Sequence, residues 1–586
     1  MGGQIYTRLW SCVEQSVKDL QPFREKRHEA LKQYVGYHYS DDGAVDRVPI
    51  NMIEMGVNVY VRHLAGKAPR VLSTTQYQAL KPQSALLELA LNHLIEEINL
   101  ENTLRRWVLN AMFGLSMVKA GLTSKGEVEI EGVMHDPGQP FADIVDLDDW
   151  VHDTTARVQE EMQYMGNRYR LPLEWVQESG LYNRKATRDL SADPKDAMNE
   201  GGDARAEAIT HGEGGRQDDL KDYVEMYDIW LPTENVVVTL PTKGNTTPLR
   251  EVEWAGPERG PYHSLAFNDV PQSVMPLPPV ASWMDSHVLI NKLYRKLTRQ
   301  AERQKMIMTY SGAAHADAAR VAQGSDGEML RVDSPTSVQP QRLGGIDQQN
   351  LAFMMHTKSE LSWLAGNLDS LGGLSPQAET LGQERLLAQS ASKRVADMQD
   401  RTMVATERLI RDLGWYLWED PLIDLPLTKR LAGHANMEIP VRFTAEQREG
   451  DYYDYVIKLA PYSMQSRSPS ERLDTLKQLL MGIILPSAPQ LAEQGIEVDW
   501  LGLVKTIARL SDMPELDDVL TVPGNVLPQQ LGSAHSQKMS PNTTRTNVRV
   551  NRPGATESGK EEALVQTLMG GGVNDDQMKS VSRPTG

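Results

Sequence analysis

The chain has 586 residues, a formal net charge of −18, 40% apolar residues and 24% charged residues. That length suits roughly two to four domains or one elaborate subunit, and that apolar fraction can fill a core. So acidic a surface excludes coating by nucleic acid, because phosphate contacts need clustered Lys and Arg; the single cysteine, Cys12, excludes an internal disulfide framework and a Cys-based zinc site.

Residues 4–36 predict a helix with Leu9, Val13, Val17 and Leu20 on one face. "SDDGAVDRVPIN" then predicts a turn and an extended stretch, followed by a helix over 51–65. Gly66-Lys67-Ala68-Pro69 stops that helix before a strand. Two further helices are predicted over 82–98 and 100–119, the second running into a strand through "FGLSMVKAGL". "EVEIEGV" alternates with the period of a strand, and "ADIVDLDDWVHD" predicts a strand and an acidic turn. Residues 191–219 are small, polar and glycine-dotted, which predicts a mobile insertion. "YVEMYDIWLP" and "ENVVVTLP" predict consecutive strands, and "NDVPQSVMPLPP" a proline-rich connector. Beyond it come a long helix over 280–305, a segment of short elements to 346, a helix over 347–366, a glycine-rich loop, and a long helix from 378 to 418. Strand signals follow at 437–460 and helices at 469–520. The tail from 531 has a disordered composition. "MGGQIYTRLW" has no signal-peptide pattern, and the longest apolar run, "LLMGIIL", is too short to span a bilayer, so no membrane anchor is expected.

Motifs for catalysis are missing. Gly66-Lys67 lacks the upstream glycine of a phosphate loop, and "HEALK" puts Lys32 where a zinc protease needs its second histidine. The glycine loop "GNLDSLGGLSPQAETLGQERLL" has no lysine, and Glu379 and Glu384 stand early in the helix after it, which disfavours a bound phosphate. Ser375 and Pro376 fit an N-cap and first helical position. Asp146, Asp148, Asp149 and Asp153 with His152 offer hard-cation chemistry, but a solvated turn with capping aspartates is the better reading.

One pattern stands out against the acidic background. Helix 280–305 has six Lys or Arg and two acids, a local charge of +4. Lys292, Arg295, Lys296, Arg299 and Arg303 fall within an arc of about 100°, beside an expected apolar seam of Leu289, Leu293, Leu297 and Ala301. An ordinary solvated face would explain one such helix. In this chain the stripe also marks a place where DNA phosphate passes or a partner docks. In the last long helix Ala388, Ala391, Val395, Met398, Thr402, Ala405, Leu409 and Leu413 predict a packing face, small residues first and large ones later.

The order of these elements, with "RVPINMIEMGVNVYVRHLAGKAPRV", "VLNAMFGLSMVKAGL", "DIVDLDDWV" and "GNLDSLGGLSPQAETLGQERLLAQSASKRVADM", resembles the portal (head-to-tail connector) proteins of tailed double-stranded DNA bacteriophages, the short-tailed type above all. The resemblance covers residues 5–520. It implies an α+β, predominantly helical, elongated subunit. Its wing would comprise 1–279 and 381–460, its stem helices 280–305 and 347–366, its clip 306–346, its tunnel loop 367–380 and its crown 461–530, with a flexible tail over 531–586. It further implies a dodecameric ring conducting double-stranded DNA in the virion. The implied partners are major capsid and scaffolding proteins, the terminase large subunit, and head–tail adaptor and tail proteins. No catalytic residue, cofactor or metal is implied. The channel residues would be Lys292, Arg295, Lys296, Arg299 and Arg303 on the stem, and Gly366, Asp369, Gly372, Gly373 and Ser375 on the tunnel loop. The competing expectations are a collar or scaffolding protein without a channel, and an enzyme with a nucleotide site in the glycine loop.

Overall fold

The computed structural model describes residues 3–36, 50–123, 128–130, 133–135, 139–188, 190–192, 222–242, 247–325, 329–332, 336, 338–371, 381–420, 423, 425–430, 438–460, 463 and 464. The chain divides into Met1–Arg467 and Ser468–Gly586, and every described element belongs to the first unit. The expected crown beyond residue 464 and the flexible tail lie outside the described residues, as does the insertion but for residues 191 and 192. Helix and strand are mixed, about 52% and 22% of the described residues.

Helix α1 (Gly3–Val35) lies on the largest sheet. Tyr6, Leu9 and Val13 recur at helical spacing and pack on Val151, Tyr164, Tyr227, Ile229 and Val238, so one apolar stripe meets one sheet face. That sheet has five antiparallel strands in the order β10-β9-β8-β7-β6 (Arg250–Glu253, Val236–Pro241, Tyr223–Leu231, Met165–Pro172 and Trp150–His152). A second sheet, β11-β2-β5 (Tyr262–Leu265, Ser116–Thr123 and Gln139–Val145), packs beneath helix α4 (Leu100–Phe113). The predicted strand at "EVEIEGV" is a small hairpin, β3 (Val128–Ile130) with β4 (Val133–His135). Two short helices, α5 (Leu173–Glu178) and α6 (Arg184–Arg188), follow β7.

The main core gathers around helices. It joins α2 (Met52–Leu64), α3 (Lys81–Glu97) and α4 to the long C-terminal helix Leu381–Glu419. Asn51 caps α2, its side chain accepting from the Glu54 amide at 3.0 Å. In the long helix Val395, Met398, Thr402, Ala405, Leu409 and Leu413 are all buried, as their spacing predicts. The side chains of Ala388 and Ala391 lie outside the described residues. Trp418 near its end packs on Tyr455 with ring centroids 4.7 Å apart. Strand β1 (Val71–Thr75) pairs antiparallel with β16 (Tyr455–Leu459), so two segments almost four hundred residues apart in sequence close one ladder. Strands β14 (Leu425–Arg430) and β15 (Glu438–Phe443) form a hairpin beside α3.

Candidate nucleic-acid interface

Helix α7 (Ala281–Glu302) leads to strand β12 (Lys305–Tyr310), a short helix α8 (His315–Gln323) and strand β13 (Val338–Leu343). Helix α9 (Gln348–Leu364) then returns alongside α7. The two strands pair antiparallel from Lys305↔Leu343 to Tyr310↔Val338. Helix α9 starts on Asp347, whose carboxylate accepts from the Gln349 amide at 3.0 Å.

The buried face of α7 is Trp283, His287, Ile290, Asn291 and Leu297. This corrects the expected seam of Leu289, Leu293, Leu297 and Ala301: only Leu297 is buried, Leu293 is half-buried, and Leu289 and Ala301 are exposed. The reason is anchoring at the helix start. Trp283 stacks on Tyr60 of α2, ring centroids 5.8 Å apart. The Asn291 side chain both donates to the Ile50 carbonyl and accepts from the Ile50 amide, each at 3.0 Å. Those contacts fix the rotation of the helix, and a mid-helix Asn and His in an otherwise apolar stretch were the signal in sequence.

At 100° per residue, Lys292, Lys296, Arg299 and Arg303 then fall within about 60° of one another, on the side of α7 opposite its buried face. All four are exposed, and none of their side chains forms an ion pair or hydrogen bond with another described residue. Asp285 is exposed on the same face below them. Arg295 sits off this row: it is half-buried and its Nε donates to the Asn291 carbonyl at 3.3 Å. The structure therefore aligns four of the five predicted basic residues and separates the fifth.

Strand β12 and helix α9, above this row, carry uncovered apolar side chains. Met306 is 74% exposed, Trp363 of α9 70% and Met355 56%; Ile307, Met308, Tyr310 and Phe353 are also exposed. Helix α9 buries only a narrow edge, Met354, Thr357, Leu361 and Ser362. A two-stranded ribbon with both faces exposed is marginal on its own, and an apolar surface of this kind marks a contact site.

The glycine loop begins as a fixed element. Gly366 has φ +82°, and a Cβ there would stand 2.8 Å from the Tyr60 hydroxyl, which donates to the Ala365 carbonyl at 2.7 Å. A short helix α10 (Leu368–Leu371) follows, with Leu368 fully buried against Gly56 and Trp283. Asp369 is half-buried and its carboxylate accepts from the Ser362 hydroxyl at 3.0 Å. Gly372, Gly373 and Ser375 lie outside the described residues.

The other predicted features resolve as structural. The backbone amides of Gly66 and Lys67 both donate to the Met464 carbonyl, at 2.9 and 3.1 Å, so they are not turned to a phosphate. The acidic turn is not solvated, contrary to expectation. Arg27 pairs with Asp146 and lies 3.6 Å from Asp148, His28 lies 3.1 Å from Asp148, and Arg168 pairs with Asp149 at 3.1 Å. Arg24, buried beside them, donates to the Leu147 and Trp150 carbonyls. Asp153 accepts from Thr155. Helix α1 brings Arg24, Arg27 and His28 to the turn and β7 brings Arg168, and among the described residues no cluster of His, Cys, Asp or Glu could hold a metal ion. No helix among the described residues is long and apolar enough to cross a membrane. No family model matches the chain, and no curated protein matches it by sequence.

Proposed function

We propose that the chain is the subunit of a portal-type ring through which double-stranded DNA enters and leaves a phage capsid. The observation that carries this reading is the row of Lys292, Lys296, Arg299 and Arg303, free of described partners on the outer side of α7 in a chain of net charge −18. A conduit must touch DNA without holding it. Each phosphate neutralised adds affinity by releasing counterions, so a few cations per subunit in an acidic body give contact with little grip. In a ring each cation becomes a belt at one height of the channel, and α7 and α9 form the stem around it. The uncovered apolar residues on β12 and α9 suit burial against a neighbouring copy, in the head-to-tail contact that closes into a ring. The ribbon they flank is the clip, where the terminase and later the head–tail adaptor and tail proteins dock. Capsid and scaffolding proteins surround the wing. The protein itself needs no catalytic residue, since the motor hydrolyses ATP.

Electron microscopy of the purified full chain, with its mass in solution, tests this reading. Annular particles with a central hole, near twelve times the 65.5 kDa subunit, are expected. Compact monomers or rods would refute it and leave a collar or scaffolding role. Heat released on titrating ATP into the protein would instead favour the nucleotide-site reading.

A further inference from the structure

A cavity of about 360 Å³ opens between the two wing sheets, between β2 and β10, near the end of the long helix. That volume lies in the range of about 300–1,000 Å³ typical of small-molecule sites. Five aromatic side chains stand in its walls: Phe141, Trp230, Trp254, Tyr262 and Tyr416.

Three polar groups converge on it. The Lys119 ammonium donates to Asp228 Oδ2 at 3.0 Å and to Asn167 Oδ1 at 3.2 Å, with the Tyr262 ring 5.9 Å away. An ammonium has three N–H donors, so one remains for a guest. Asp228 itself is fully engaged, because its other oxygen accepts from Tyr169 at 2.9 Å and from Thr239 at 2.7 Å. Arg250 of β10 is half-buried in the wall, and its side chain has no hydrogen bond or ion pair with any described residue. Tyr416 is 7% exposed, and its hydroxyl likewise has no described partner. Burial raises that hydroxyl above the ordinary tyrosine range, so it stays a donor. Glu253 lines the exposed rim, which leaves the inner wall, Lys119, Asp228 and Arg250, with one net positive charge.

We infer that this cavity binds a small flat anion, an aromatic or heteroaromatic ring bearing a carboxylate or phosphate. The ring stacks among Trp254, Tyr262 and Phe141. The anionic group meets Arg250, the spare Lys119 donor and the Tyr416 hydroxyl. A charge-assisted fork from Arg favours a planar acid over its neutral isostere.

Tryptophan fluorescence and saturation-transfer NMR on the full chain test this with three probes: benzoate, its neutral counterpart benzamide, and adenosine monophosphate. Saturable binding of benzoate or of the nucleotide is expected, with benzamide weaker by about tenfold, the loss of one charge-assisted contact. Whichever anion binds more tightly identifies a carboxylate or a nucleotide as the natural source. Arg250→Ala is expected to weaken binding by about tenfold, and Arg250→Lys to restore only part of it, because the charge returns without the planar fork. Val252→Trp, which fills the cavity from an exposed edge position, is expected to abolish binding. The melting temperature of each variant shows that the wing still folds. No saturation by either anion, equal affinity for benzamide, or indifference to both Arg250→Ala and Val252→Trp would overturn the inference.

Discussion

Burial pushes the imidazoles of His152, His263 and His287 down to about 4, with Arg259 and Arg408 adding to the effect at His263. Each is neutral when folded and binds a proton on unfolding as pH falls below its ordinary value of 6.5. Asp412, 3.4 Å from His263, runs the other way: burial pushes its carboxyl up to about 7, so the folded state keeps a proton that the unfolded state releases. Between pH 6.5 and 4 the histidines make unfolding take up protons and lower stability as pH falls. Asp412 offsets one of the three. Urea unfolding followed across that window is expected to show a net uptake of about two protons, rising to about three in Asp412→Asn. A pH-independent midpoint would contradict this. The same scale holds Gly366. Alanine there combines a positive φ with a collision at the Tyr60 hydroxyl, so Gly366→Ala is expected to cost about 1–3 kcal/mol in denaturant unfolding. These residues differ in how legible they were. The glycine announced a turn. His287 stood out as a polar residue in an apolar helical stretch, whereas His152 and His263 gave no sign, because their burial depends on segments far apart in the chain.

Elements were the best-read scale, since period and stop signals are local. Helices α1, α2 and α3 and the pair β8–β9 stand within a residue or two of their predicted bounds. The seam of α7 was misread because Trp283 and Asn291 anchor the helix, and neither belongs to a leucine stripe. The acidic turn was misread for a similar reason: its partners Arg24, Arg27 and His28 lie more than a hundred residues earlier. The basic row was legible, because four cations at helical spacing align whichever neighbour holds the helix. Reversing Arg299 and Arg303 to Glu is expected to change DNA retention in assembled particles and leave thermal stability within about 0.5 kcal/mol, as surface substitutions do. Unchanged packaging with weaker rings would instead assign the row to contacts between subunits. Placing Lys at both Met306 and Met308 is expected to weaken assembly, read by sedimentation, and to leave the subunit's melting temperature unchanged, because both side chains already face solvent.

For the whole molecule, a conduit of the kind proposed would have its grip on DNA set by the charge balance. An isolated subunit offering four aligned cations is expected to show a salt slope for DNA binding no steeper than about −3.6, at about −0.9 per phosphate contacted. A steeper slope would reveal a second basic surface. The mixed helix and strand content was legible in the alternation of periods, but the pairing of sheets was not, since register depends on segments far apart in the chain. The β1–β16 ladder is the extreme case. Val71–Thr75 leaves the ribosome long before Tyr455–Leu459 exists to pair with it. Until then β1 is an open edge beside a core whose longest helix is also still to come, and contacts of such sequence separation form slowly. A chain stopped before residue 455 is expected to aggregate rather than accumulate as a folded fragment. Synthesis past residue 459 thus acts as a checkpoint: only then does β1 meet the strand that closes its edge.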